Sequence, residues 1–243
     1  MDQLFEAIGI PFIDLKTTSA RLEQLCAAGV AVPRTDGGSM VTWSDPSGAV
    51  MVFNIDKSGT ITCARPAFAS RSTLLIEPFS IVPDEECRYC DRVAANAVVD
   101  DMPAMGTLYM HVSDIAVARE TIAFRRRSIV SVALFSERIK VWRDGDEFLA
   151  SQAREPKFAP ECLLLSGGFS KPPVAEVEMM GTVLKVQERQ NSATGVDFVW
   201  AIVRTSDERE LEIVASELQV PFGMAPGNVV DGRFWVVGRF VGQ

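Results

Sequence analysis

The chain has 243 residues, of which 47% are hydrophobic, so it can bury a packed core and is not intrinsically disordered. Its 32 acidic residues outnumber its 24 basic residues, and the net charge of −8 excludes non-specific duplex binding through a basic face. The N-terminus lacks the pattern of a secretory signal, and no run reaches the roughly 18 apolar residues of a membrane span. We therefore expect a soluble, cytoplasmic protein without a membrane partner.

The cysteines agree with that compartment. They are odd in number and widely spread, whereas a disulfide framework is even and dense. We interpret them as the reduced thiols of a cytosolic protein. They are Cys26, Cys63, Cys87, Cys90 and Cys162.

The first third of the chain predicts two short helices followed by strands. Apolar residues recur at helical spacing within residues 2–9 and again within residues 18–29. From residue 40 the period changes to two, and clear turn sequences divide residues 40–63 into a three-stranded meander. Residues 74–82 add one or two further strands.

A third helix is predicted from residue 84 to Val98, because Pro83 and Asp84 match the pattern of a helix N-terminus. Alternation of polar and apolar residues then returns. It predicts strands at 107–112, 120–126, 129–135 and 137–143.

The best linker candidate is the segment 166–173, which is rich in glycine, serine and proline. It divides the chain into two predicted domains. Residues 1–166 form a β-rich domain with two or three short helices, and residues 174–243 form a small β domain.

The second domain is predicted to contain strands at 175–189, 197–204, 209–215 and 228–240, the last of them split at Gly232. Gly181 would let the first strand bend and serve both halves of a small barrel. This spacing resembles the five-stranded OB-type barrel, and an SH3-like barrel would give a similar pattern. The predicted fold class is mainly β, with α+β character in the first part and two barrel-like or sandwich-like domains.

The sharpest local motif is the CxxC pair of Cys87 and Cys90. At a helix N-terminus such a pair could be a redox centre, because the helix dipole favours the thiolate. The helical spacing of both thiols with Ala94 and Ala97 favours core packing instead. A zinc site is a further hypothesis, with His111 as the one histidine available.

No catalytic constellation is recognisable. A single histidine limits triad chemistry, and His111 in a strand is more typical of a structural residue. No glycine loop has the context of a phosphate-binding motif. We therefore predict no catalytic residues and no cofactor.

The C-terminal barrel carries aromatic and basic residues that could bind single-stranded nucleic acid by stacking and charge. They are Trp200, Arg204, Arg233, Trp235 and Arg239. From Lys171 onward, however, ten acidic residues face seven basic ones. Phe198, Trp200 and Ile202 also share one strand face, which favours a place in the barrel core.

These observations favour a non-enzymatic binding or interaction protein, with a protein partner or self-association. The alternatives are single-stranded nucleic-acid binding by the second domain, and a thiol-redox or zinc function of Cys87 and Cys90.

Overall fold

A computed structural model describes residues 2–83, 91–99, 102–103, 106–119, 122, 124–153, 156–220 and 223–241. Within them, strands dominate and form one sheet of four strands and one of ten. This confirms the predicted mainly-β fold class. No helix in this part of the chain has the length and apolar character needed to cross a bilayer.

The helices and strands have the following bounds. The helices are α1 (Asp2–Glu6), α2 (Leu15–Ala27), α3 (Ile115–Ala118) and α4 (Gly145–Ser151). The strands are β1 (Val30–Pro33), β2 (Ser39–Ser44), β3 (Ala49–Ile55), β4 (Ile61–Phe68), β5 (Thr73–Val82), β6 (Arg92–Val99), β7 (Met102–Pro103), β8 (Leu108–Val112), β9 (Ser128–Trp142), β10 (Cys162–Leu164), β11 (Glu176–Gln190), β12 (Asp197–Arg204), β13 (Glu210–Ser216) and β14 (Val229–Phe240).

Residues 2–68 form an N-terminal layer of two helices and an antiparallel sheet in the order β1-β2-β3-β4. The predicted meander is present, with β1 as an additional strand. The helix α2 begins at Leu15, because the Asp14 side chain caps it by accepting the Thr17 N–H at 2.8 Å.

The predicted third helix is wrong for residues 92–98, which belong to strand β6 between β5 and β8. The segment Val93–Ala95 is buried on both faces, so its small apolar residues fit a central strand as well as a helix stripe. The predicted strand at 120–126 is also wrong for residues 124–126, because Phe124 and Arg125 lie in a turn. The two strands predicted at 129–135 and 137–143 are one continuous strand, β9.

Five strands of the ten-stranded sheet close into an OB-like barrel in the order β11-β12-β13-β9-β14. The circuit returns to its start through antiparallel pairing of β14 with β11. The pairing of β13 with β9 is parallel. We call this circuit the second barrel.

The long strands β9 and β14 also belong to another closed circuit, in the order β5-β6-β8-β14-β9 and back to β5. We call this circuit the first barrel, because its other strands come earlier in the chain. Here β8 pairs in parallel with β14. Residues 73–142, apart from the short strand β7, and residues 176–240 therefore repeat one topology. The last strand of each segment, β9 or β14, also serves as the fifth strand of the other barrel.

The predicted five-stranded C-terminal barrel is thus present, but its composition differs from the prediction. The strand β14 is unbroken, and the fifth strand is β9, which precedes the linker at 166–173. At Gly232 a Cβ atom would lie 2.4 Å from the Arg138 carbonyl oxygen, so this glycine permits close approach of β9 and not a chain reversal. The division into 1–166 and 174–243 as folding units stays a prediction.

Gly181 has the role predicted for it. Residues 176–182 of β11 pair with β14, and residues 182–190 pair with β12. A Cβ atom on Gly181 would lie 2.3 Å from Val203 Cγ1 and 2.6 Å from the Arg204 carbonyl oxygen. The absence of a side chain therefore lets β11 change partners there.

Alternate residues of the barrel strands face two different cores. Leu134 of β9 belongs to the barrel interior, and its neighbour Phe135 belongs to a cluster shared with the N-terminal layer. Phe198 and Trp200 also lie in that outer cluster. They do share a buried face, but the prediction that this face is the barrel core is wrong, because the layer of residues 2–68 covers it.

Candidate anion-binding groove

A groove of about 850 Å³ lies between the turn that joins β2 to β3 and the outer face of β11 and β12. It is lined by Asp45, Pro46, Ser47, Gly48, Ala69, Arg71, Lys185, Gln187, Arg189, Gln190, Trp200, Ile202 and Glu212. A side cleft of about 360 Å³ shares three of these residues and adds four others. The shared residues are Arg71, Ile202 and Glu212, and the added residues are Ser72, Thr73, Arg209 and Glu210.

The base of the groove is the indole of Trp200, which is 5% exposed. Its Nε1 donates a hydrogen bond of 2.7 Å to Oε2 of the buried Glu212 on the neighbouring strand. Burial of the ring and the hydrogen bond at its edge together hold the indole in one orientation.

The guanidinium of Arg189 lies over this ring, 3.9 Å from its centroid. One Nη donates to the Ser47 carbonyl oxygen at 2.9 Å, and the other donates to Gln187 Oε1 at 3.2 Å. Stacking and two hydrogen bonds therefore fix the plane of the guanidinium before any ligand arrives. Arginine has five N–H donors, so most of them are still available to an acceptor.

Two further cations line the groove. Lys185 Nζ lies 5.5 Å from the Trp200 centroid, and Arg71 is exposed at the join with the side cleft. Among the described residues, neither these two nor Arg189 forms an ion pair within 4.0 Å. Burial lowers the pKa of Arg189, and the nearby Arg71 lowers this pKa further against an opposing effect of Glu212. The lining of the groove therefore holds three cations against two carboxylates, Asp45 and Glu212, on a protein that is acidic as a whole.

Both carboxylates deepest in the groove have their oxygens engaged by the fold. Glu212 Oε1 accepts the backbone N–H groups of Arg71 at 2.6 Å and Ser72 at 3.3 Å. Asp45 accepts the backbone N–H groups of Ser47 at 2.9 Å and Ser192 at 3.1 Å, together with the Ser192 hydroxyl. These bonds leave the carboxylates poor competitors for the groove cations.

The pKa of Asp45 reflects these contacts. Burial by itself raises the pKa, but the hydrogen bonds from Ser192 and Ser47 outweigh burial and leave the pKa below its usual value. Asp45 is therefore an ionised residue that ties the N-terminal layer to the loop between β11 and β12.

Of the five residues predicted to contact nucleic acid, only Trp200 lines the groove. Each of the three arginines has an acidic partner instead. Arg204 pairs with Glu161 at 2.9 Å, and Arg239 pairs with Asp114 at 3.5 Å. The partners of Arg233 are Glu137, Glu176 and Glu178.

Trp235 stacks on His111, with ring centroids 5.9 Å apart. His111 lies buried in β8, and its Nδ1 is 2.7 Å from an Nη of Arg65. The structural role of this histidine stays a prediction.

Cys87 and Cys90 lie outside the described residues, so the thiol and zinc hypotheses stay predictions. One premise of the redox hypothesis is corrected, since residues 92–99 beyond the pair form a strand. The described part of the chain contains no cluster of three or more His, Cys, Asp or Glu that could hold a metal ion.

The sequence analysis missed all three cationic residues of the groove, which are Arg71, Lys185 and Arg189. Lys185, Gln187 and Arg189 alternate along β11, so a period-two count of polar residues could have placed them on one face. Arg71 carries no such signal, because it lies in the connection between β4 and β5 and reaches the groove only through the tertiary fold.

Neither a family model nor a curated protein sequence matches this chain. Among solved structures, the chain is similar to the cytoplasmic molybdate-binding protein ModG, in a crystal form grown from PEG with molybdate bound. The identity is 11%, the TM-score is 0.35, and the alignment covers 70% of this chain and 96% of that one.

Proposed function

We propose that this protein is a non-enzymatic binding protein whose ligand carries an oxyanion, held in the groove over Trp200. One observation carries the proposal. Three cationic side chains without an ion-pair partner among the described residues converge on one groove of an acidic protein. The three cations outnumber the two carboxylates of the lining, Asp45 and Glu212, whose oxygens already accept hydrogen bonds from the protein, so the groove favours an anionic ligand.

The chemistry of binding follows from the fixed guanidinium. A planar fork of N–H donors matches two oxygens of a phosphate, sulfate or carboxylate, and such charge-assisted bonds are the strong ones. Lys185 and Arg71 add positive charge beside that fork. Because the Arg189 side chain is already ordered, little conformational entropy is lost when the anion binds.

Binding is favoured over catalysis because the carboxylates of Asp45 and Glu212 serve the fold. A general acid or base has to exchange a proton with a ligand. The oxygens of both groups are held by backbone and side-chain donors of the protein itself.

The proposal is tested by titration calorimetry of the whole chain with inorganic phosphate at low ionic strength. We expect saturable binding that weakens with salt. Arg189→Ala should weaken it at least tenfold, and Arg204→Ala, which removes a half-buried arginine already paired with Glu161, should not. Absence of phosphate binding, or equal binding by both variants, would overturn the proposal.

Single-stranded nucleic-acid binding is the second candidate. It is favoured by position, since β12 and β13 are the second and third strands of the OB-like barrel, the face on which OB-folds bind oligonucleotides. It is disfavoured by the Trp200 ring, because Arg189 covers the face on which a base would stack. A labelled oligothymidylate titrated at low salt tests it, and no binding there would eliminate this candidate.

A further inference from the structure

The charges of the groove and of the side cleft differ. The groove over Trp200 is lined by three cations, Arg71, Lys185 and Arg189, and two carboxylates, Asp45 and Glu212. The side cleft has two cations, Arg71 and Arg209, and two carboxylates, Glu210 and Glu212. One end of the combined space is therefore positive and the other is close to neutral.

The side cleft also has the polar groups that recognise hydroxyls. Ser72 and Thr73 contribute hydroxyl groups, which donate and accept, and the exposed Glu210 contributes acceptor oxygens. Arg209 is held in place by a hydrogen bond of 3.1 Å from its Nη to the Val98 carbonyl oxygen. A second phosphate in this cleft would find the two arginines balanced by two carboxylates, whereas a neutral hydroxylated group would find both donors and acceptors.

The surface that joins the two spaces consists of Arg71, Ile202 and Glu212, with Ile202 as its one aliphatic side chain. Ile202 lines both and is half-buried, and the one aromatic ring in the linings, Trp200, is covered by the Arg189 guanidinium. This surface suits the C–H face of a sugar ring better than it suits a stacked nucleobase.

We infer that the ligand is the phosphate ester of a small polyol. Its phosphate binds Arg189 and Lys185, and its hydroxyl groups occupy the cleft of Ser72, Thr73 and Glu210. This inference rests on the proposed function, because it takes the oxyanion site as given and adds the chemistry of the rest of the ligand. A bare oxyanion would leave the side cleft unfilled.

The test compares inorganic phosphate, ribose 5-phosphate, free ribose and an oligothymidylate by calorimetry on the whole chain. We expect ribose 5-phosphate to bind at least tenfold more tightly than phosphate, and free ribose to show no measurable binding. The double variant Thr73→Val, Glu210→Gln should bring the affinity ratio of ester to phosphate close to one. Glu188→Gln, which removes an exposed carboxylate elsewhere on β11, is the charge-matched control and should keep the full ratio.

The outcomes separate the two proposals. Phosphate binding without a gain for the ester, or a gain that survives in the double variant, overturns the polyol inference and leaves the oxyanion site standing. Binding of neither phosphate nor ester overturns both. Tighter binding of the oligothymidylate than of the ester overturns the polyol inference in favour of nucleic acid.

Discussion

The indole Nε1 of Trp200 donates a 2.7 Å hydrogen bond to Glu212 Oε2, while Oε1 of the same carboxylate accepts the backbone N–H of Arg71 at 2.6 Å. This pair therefore joins β12 and β13 of the second barrel to the segment that leads into β5 of the first. A buried carboxylate is stable only when such donors satisfy it. The Trp200–Glu212 pair is thus structural support beneath the groove.

Trp200→Phe should lower the free energy of unfolding by about 1–3 kcal/mol, because it leaves Glu212 Oε2 without its donor while it keeps most of the buried aromatic area. Urea denaturation followed by circular dichroism measures the change. Trp235→Phe is the matched control, because the Trp235 indole donates no hydrogen bond within the described residues. Equal losses in the two variants would contradict this account of Glu212.

The shared strands predict how fragments fold. A fragment of residues 174–243 lacks β9, so β13 and β14 would each present an unpaired edge, and we expect it to be unfolded or aggregated. A fragment of residues 127–243 contains all five strands of the second barrel and should show a cooperative thermal transition. Cooperative folding of the shorter fragment as a monomer would show that residues 174–243 are a folding unit after all.

Asp45→Asn should destabilise the protein by about 1–2 kcal/mol at pH 7, because it weakens the charge-assisted bonds from Ser47 and Ser192. The folded-state pKa of Asp45 lies below its usual value, so its contribution is present above the unfolded pKa of about 4 and is lost as pH falls through the folded pKa. The difference in the free energy of unfolding between wild type and variant should therefore narrow below pH of about 4.

Asp56→Asn is the control for that measurement. Asp56 caps the next turn in the same way, but it is only half-buried and its hydrogen bonds stay within that turn. We expect Asp56→Asn to lower the free energy of unfolding clearly less than Asp45→Asn does, in denaturation curves measured over the same pH range. If both variants lose the same stability, the contact of Asp45 with Ser192 contributes nothing beyond the local turn.

Asp114→Asn should stabilise the protein by about 1 kcal/mol at pH 7, since a buried carboxylate with an unsatisfied oxygen is costly. Asp114 Oδ1 is buried without a hydrogen-bond partner, and burial raises the pKa of this residue despite the opposing effect of Arg239. Because the pKa of Asp114 is raised in the folded protein, ionisation of this carboxyl lowers the free energy of unfolding. This loss is absent below the unfolded pKa and grows as pH rises through the folded pKa.

The gain from Asp114→Asn should accordingly vanish in thermal melts at about pH 3, where the carboxyl is protonated in both states. A loss of stability at neutral pH would show that the ion pair with Arg239 outweighs the cost of burial.

Sequence patterns predicted the secondary structure correctly where neighbouring residues determine it. The alternation of residues 40–55, the turns between the strands and the break at Gly181 predict the N-terminal meander and the bend of β11 correctly. The Ala-rich segment 93–98 fits both a helix stripe and a doubly buried strand, and pairing with β5 and β8 decides between them. Periodicity cannot separate these two states when both faces are buried.

The sequence by itself determined a mainly-β chain, a five-stranded barrel near its end and a buried Trp200, because periodicity, turn chemistry and hydrophobicity act over a few residues. Only the tertiary structure decided that β9 completes that barrel, that the N-terminal layer covers Trp200, and that Arg71 meets Lys185 and Arg189. Strand exchange and charge clustering depend on contacts between residues far apart in the chain, and local pattern contains no information on which distant segments pair.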